Sequence, residues 1–201
     1  MSRHLLFTLI ALVALSPSLG AWQEAADPKR REQLAQEIER AMRAFDSDGF
    51  AIVEKLQPQE TVREILLEIV REKRYLNAKS NSDYLYFVGA VDWLGKMREP
   101  RAIPMIEKVA TDDDSHSHGA RVIAVQALGR IDPQRSKDVL VQVLYSAGED
   151  RYLRVKAAEA LAETRDRQAL DAIETWARGE TRPHYRQRLE AAAKKLRAKL
   201  Q

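Results

Sequence analysis

Residues 87–95 read FVGAVDWLG, residues 121–129 read RVIAVQALG, and residues 154–162 read RVKAAEALA. The second copy begins 34 residues after the first and the third 33 after the second. A degraded fourth, RLEAAAKKL, starts at Arg188. Self-similarity at so regular a period is the mark of a stacked array, in which no unit buries its apolar face without a neighbour. Each copy has the same grammar. A first helix runs to Leu94-Gly95, Leu128-Gly129 or Leu161-Ala162, and a turn follows at 98–100, 131–133 or 164–166. A second helix then carries Ile106 and Val109, Leu140 and Val143, or Ile173 and Trp176 in register. Glycine after the leucine is expected to act as a left-handed helix cap, with proline barring continuation. No strand-like alternation extends beyond a few residues, so the fold is expected to be an all-α solenoid of two-helix units over residues 83–201.

Outward from the array, residues 22–82 are expected to form N-terminal helices, a divergent repeat or a cap. Pro28 to Ala44 places Leu34, Ile38, Ala41 and Phe45 at three- and four-residue steps, with Asp27 as cap and Pro28 at the first helical position. Phe50 to Leu56 is a short apolar segment. Thr61 to Lys73 carries a stripe of Val62, Ile65, Leu66, Ile69 and Val70, and Asn77 to Ser82 is turn-prone. Residues 1–21 read as an export signal: Arg3, then the apolar run Leu5 to Leu15, the break at Pro17, and small residues for cleavage after Gly20 or Ala21. That run is too short to span a bilayer, which takes about 20 apolar residues. The expected location is periplasmic or secreted, with no transmembrane segment.

Composition narrows the function classes. There are no cysteines, hence no disulfides, no thiol chemistry and no site for lipid attachment after the leader. The 33 basic residues, Arg3 of the leader among them, nearly balance 30 acidic ones. A general nucleic-acid binder needs a stronger positive field, so none is expected.

The segments RVIAVQALG and RVKAAEALA resemble the HEAT-repeat family, specifically its short, phycobilisome-lyase-like variant. That variant follows R-x-x-A-x-x-A-L-G with a turn containing Asp or Pro. Arg121, Ala124, Ala127, Leu128 and Gly129 match, as do Arg154, Ala157, Ala160 and Leu161, and Arg101-Ala102-Ile103-Pro104 fits a second-helix start. Tetratricopeptide repeats have a similar period, but Pro100 and Pro133 force a turn where those repeats continue a helix. The resemblance implies a protein-interaction scaffold, while some relatives of this repeat type are pigment-attachment lyases.

Asp112 to His118 (DDDSHSH) is the one stretch with metal-site composition, with Asp114, His116 and His118 as candidate ligands, against the plainer reading of an acidic loop capping the next helix. Asp46-Ser47-Asp48-Gly49 fails as a calcium loop, because Ala44 and Lys55 occupy its anchor positions. Arg121, Arg154 and Arg188 recur at one repeat position. They are either a ladder for an anion or inter-repeat partners of acids such as Asp114, Asp150 or Glu180. Trp176 shares a position with Val109 and Val143 and is expected in the core. The cations of the last helix (Arg182, Arg186, Arg188, Lys194, Lys195, Arg197 and Lys199) either meet an acidic partner or lipid headgroups, or cap the array. There is no P-loop, dinucleotide fingerprint, nucleophile elbow or zinc-protease motif, so no catalytic residue and no cofactor is expected. The surviving candidate is the concave strip that second helices present: Pro104, Glu107, Lys108, Asp138, Val141, Gln142, Asp171, Glu174 and Thr175. It leans acidic, so a protein or peptide with basic character is the expected partner. The alternatives are an enzyme of the HEAT-like lyase type and a metal-binding or envelope-associated protein.

Overall fold

The computed structural model describes residues 27–44, 48–72, 81–112, 118–146 and 150–201, every regular element among them being helical. The expected export signal, Phe45, Asp46, Ser47, Asn77, Asp114 and His116 lie outside the described residues. The chain divides into two compact units, one ending at Ile65 and the other beginning at Leu66.

In the first unit, α1 (Pro28–Ala44) packs on α2 (Asp48–Lys55), and the first half of α3 (Gln59–Glu72) completes it. Asp27 begins α1 as the sequence indicates, its carboxylate accepting from the Lys29 amide at 3.0 Å. Leu34, Ile38, Ala41 and Met42 line the buried side of α1, with Val53, Val62 and Ile65 from the other two helices. Residues 50–56, expected only as an apolar segment, belong largely to α2. The Gln59 side-chain amide satisfies the end of that helix by donating to the carbonyls of Glu54 and Leu56, both at 2.8 Å.

The second unit contains the array. Its first helices are α4 (Asn81–Lys96), α6 (His118–Ile131), α8 (Arg151–Leu161) and α10 (Pro183–Lys199). Its second helices are α5 (Ile103–Thr111, after a 3₁₀ turn at Pro100–Ala102), α7 (Lys137–Ser146) and α9 (Arg167–Gly179). First helices pack side by side as one layer, α4 to α6 to α8 to α10, and second helices form the other, α5 to α7 to α9. Each second helix also packs on the first helix of the next unit. The result is an α-solenoid. Asn81 and Ser82, expected in a turn, are the opening residues of α4.

Leu94, Leu128 and Leu161 occupy equivalent, fully buried positions. In the fourth copy the leucine falls one residue late, and Leu189, Ala192, Ala193 and Leu196 make the buried side of α10. The repeat glycines do a different job from the one expected. Gly95 and Gly129 lie inside α4 and α6, not beyond their ends, and neither has a positive φ. What they need is proximity. A Cβ on Gly95 would stand 2.8 Å from both Cα and Cβ of Ala127, and one on Gly129 would stand 2.8 Å from the Cβ of Ala160. Backbone meets backbone here, which only small residues permit.

The left-handed cap falls instead on Arg98, with φ of 51°. Its amide donates to Gly95 O at 3.1 Å, and that of Glu99 to Leu94 O at 3.0 Å. That is a Schellman closure with arginine where glycine is usual. Aspartates then start the following helices: Asp150 and Asp166 accept from the amides of Leu153 and Ala169, each at 2.9 Å.

Candidate functional site

The second helices place the expected strip where a partner can reach it. Glu107 and Lys108 stand on α5, Asp138 and Gln142 on α7, Asp171 and Glu174 on α9. Lys108, Asp138, Gln142 and Asp171 are exposed, and Glu107 and Glu174 half-buried. Pro104 and Thr175 are exposed and Val141 half-buried beside them. Glu174 is not a free member of that strip: it accepts from the Arg197 guanidinium at 2.5 Å, tying α9 to α10.

Trp176 departs from expectation. Val109 and Val143 are fully buried at the equivalent position, whereas Trp176 is half-buried. An indole is too large for a slot sized for valine, so part of it emerges beside Tyr145, itself 54% exposed. The two rings lie tilted at 57° with centroids 6.1 Å apart. Behind them the Arg154 guanidinium stacks on the indole face, 3.6 Å from its centroid. Tyr145 was missed in the sequence. The available signal was the pairing of an aromatic near the end of α7 with a tryptophan at a valine position one repeat later.

The recurrent arginines are structural links. Arg121 donates to Ala110 O at 3.2 Å and Arg154 to Leu144 O at 3.3 Å, so each first helix holds a carbonyl near the end of the preceding second helix. Arg154 is buried, and burial lowers its pKa from the usual value. Arg188 follows another rule. It pairs with Glu159 one unit earlier, at 2.5 Å, and not with Glu180. The partner of Glu180 is Arg151 at 3.3 Å.

The basic run of α10 is largely spent in the same way. Lys195 and Lys199 both hold Glu163, Arg197 holds Glu174, and Arg186 donates to Glu180 O at 2.8 Å. Hydrogen bonds from Lys195 and Lys199 keep Glu163 below the ordinary carboxylate range. Burial pushes Glu159 up, but Arg188 and Lys156 outweigh it and leave that carboxylate lowered too. These contacts favour the capping reading of α10 over a lipid-facing one.

Of the candidate metal ligands, only His118 is described. Its Nδ1 meets the carboxylate of Asp150, across one repeat. Among the described residues no group of three or more histidines and acids is placed to hold a metal ion. Among them, too, no helix is long and apolar enough to cross a membrane.

Comparison with known proteins agrees with this geometry. Residues 117–194 match the family model for HEAT repeats, which spans α6 to most of α10. The match covers that stretch of repeats alone and leaves the lyase-like variant open. The array defined by the fold extends further back, through α4 and α5. No curated protein matches the chain, and no solved structure does.

Proposed function

We propose that this chain is exported and works outside the cytoplasm as a non-enzymatic scaffold, capturing a protein or peptide on its second-helix surface. Solenoids bind through extended faces built by successive repeats. The observation that carries the reading is the largely exposed strip from Pro104 to Thr175, with the Tyr145–Trp176 pair on the last two of its three helices. Tyrosine and tryptophan, amphipathic and rigid, are the residues that most often anchor interfaces. Glu107, Asp138 and Asp171 give the strip its acidic side chains, and a basic segment is the complement we favour.

Cross-linking and affinity capture from the native cell envelope test the proposal. The set Glu107→Lys, Asp138→Lys and Asp171→Lys should abolish capture while leaving helical content largely unchanged: reversal of Asp138, in the first turn of α7, costs about 1 kcal/mol at the helix end, and the other two changes about 0.5 kcal/mol each. Tyr145→Ala should weaken it. Capture that survives both changes would remove the second-helix surface from consideration. Mass spectrometry of the native protein should find the first 20 or 21 residues missing. An intact Met1 form in the cytosol would refute export.

A further inference from the structure

The opposite face of the array, built by first helices, carries a groove of about 580 Å³ across α6 and α8. Its floor is Gly129 and Ala160, and its rim bears Arg98, Arg130 and Lys156. The size falls within the ~300–1,000 Å³ usual for small-ligand sites. Glu159 and Glu163 also line it and would cancel those cations if they stood alone.

They do not stand alone. Each carboxylate lining the groove is held by two cations, as is Asp92, the partner of Arg130. Asp92 pairs with Lys96 at 2.8 Å and Arg130 at 2.6 Å. Glu159 pairs with Lys156 at 2.9 Å and Arg188 at 2.5 Å, and Glu163 with Lys195 and Lys199. The lining thus carries three cations, Arg98, Arg130 and Lys156, against two carboxylates, both of which also pair with cations of α10.

The closure of α4 fixes where Arg98 stands: its left-handed conformation, φ 51°, ends the helix at the rim of the groove, at a position where glycine would be free of strain.

We propose that this groove binds the phosphoryl group of a small molecule, with Arg98 and Arg130 as guanidinium donors and Lys156 as a point charge. A phosphoryl group offers three strong acceptor oxygens and nearly two negative charges, which suits two forked donors and one ammonium. A carboxylate offers less of both. The site is separate from the second-helix surface, and its failure would leave the scaffold reading untouched.

Isothermal titration of the full chain with pyrophosphate at low ionic strength tests it. Saturable binding is expected, weakening as salt is raised. Arg98→Gln should weaken it about tenfold, the loss of one charge-assisted contact. Glu163→Gln, which removes a lining negative charge, should tighten it. Arg98→Gly separates binding from folding: it should raise the melting temperature, because glycine suits the conformation, yet lose the same affinity. Arg178→Gln alters a different arginine-lined groove, between α9 and α10, and should change nothing. Absence of saturable heat, equal weakening in Arg178→Gln, or citrate binding as tightly as pyrophosphate would each overturn the proposal.

Discussion

Gly95→Ala sets two well-characterised effects against each other. Inside a helix, alanine is favoured over glycine by about 1 kcal/mol, so propensity alone predicts a more stable protein. The packing of α4 on α6 opposes this. The new Cβ would stand 2.8 Å from both Cα and Cβ of Ala127, about 1 Å inside ordinary carbon–carbon contact. One of those atoms is backbone, so no rotamer change relieves the overlap and the helices must separate. Overpacking of this kind costs about 1–3 kcal/mol. With the separation needed here near the top of that range, the net loss should be about 1–2 kcal/mol, a fall in melting temperature of about 2–8 °C for a domain of this size. The glycine one repeat later permits a sharper test. For Gly129 the nearest obstacle is the Ala160 Cβ at 2.8 Å, with the Cα at 3.2 Å. Adding Ala160→Gly to Gly129→Ala should thus recover most of the packing loss, while Ala127→Gly should rescue Gly95→Ala much less. Gly179 has nothing within 4 Å of its added Cβ, and Gly179→Ala should be neutral or mildly stabilising. The measurement is thermal unfolding followed by circular dichroism. A Gly95→Ala protein melting at or above the parent temperature would refute direct backbone contact between α4 and α6.

The remaining expectations concern the core, the arginine links and pH. Leu128→Ala should cost about 2–5 kcal/mol in chemical denaturation, as a fully buried leucine does, and Val141→Ala, half-buried on the outer side of α7, much less; equal losses would mean that the helix faces are misassigned. Arg154→Ala should destabilise by about 1–3 kcal/mol, because it removes a donor to the Leu144 carbonyl, and it should shift tryptophan emission as the Trp176 ring loses its cover. Arg154→Lys should not restore the emission, an ammonium being unable to stack as guanidinium does. Glu159, Glu163, Asp166 and Glu180 all have lowered pKa values in the folded chain. Groups of this sign contribute stability that is present above their unfolded values, near 4, and lost as pH falls through the folded ones. Melting temperature should thus hold from neutrality to about pH 4.5 and decline below it. A protein whose stability was unchanged down to pH 3 would contradict these carboxylate links.

The architecture was legible because a repeat writes itself several times. Three leucines at matching positions, an arginine eight residues before each glycine or alanine in two of the copies, and prolines just beyond fixed the helix pairs and their order. Helical periodicity likewise located the buried side of α1. Local pattern does not carry distances between helices, and there the tertiary structure decided. Gly95 and Gly129 read as caps by position along the chain, yet their role is set by Ala127 and Ala160, a repeat away. The cap itself passed to Arg98, which no propensity rule would choose. Trp176 fits the apolar register of a second helix, but burial depends on the volume its neighbours leave, and that volume suits valine. The charges show the same division. Sequence records how many cations α10 carries, whereas only the stacked array reveals that Glu159, Glu163 and Glu174 already hold four of them. Periodicity is a property of one helix and survives in one dimension; close approach, spare volume and charge pairing are properties of two helices at once.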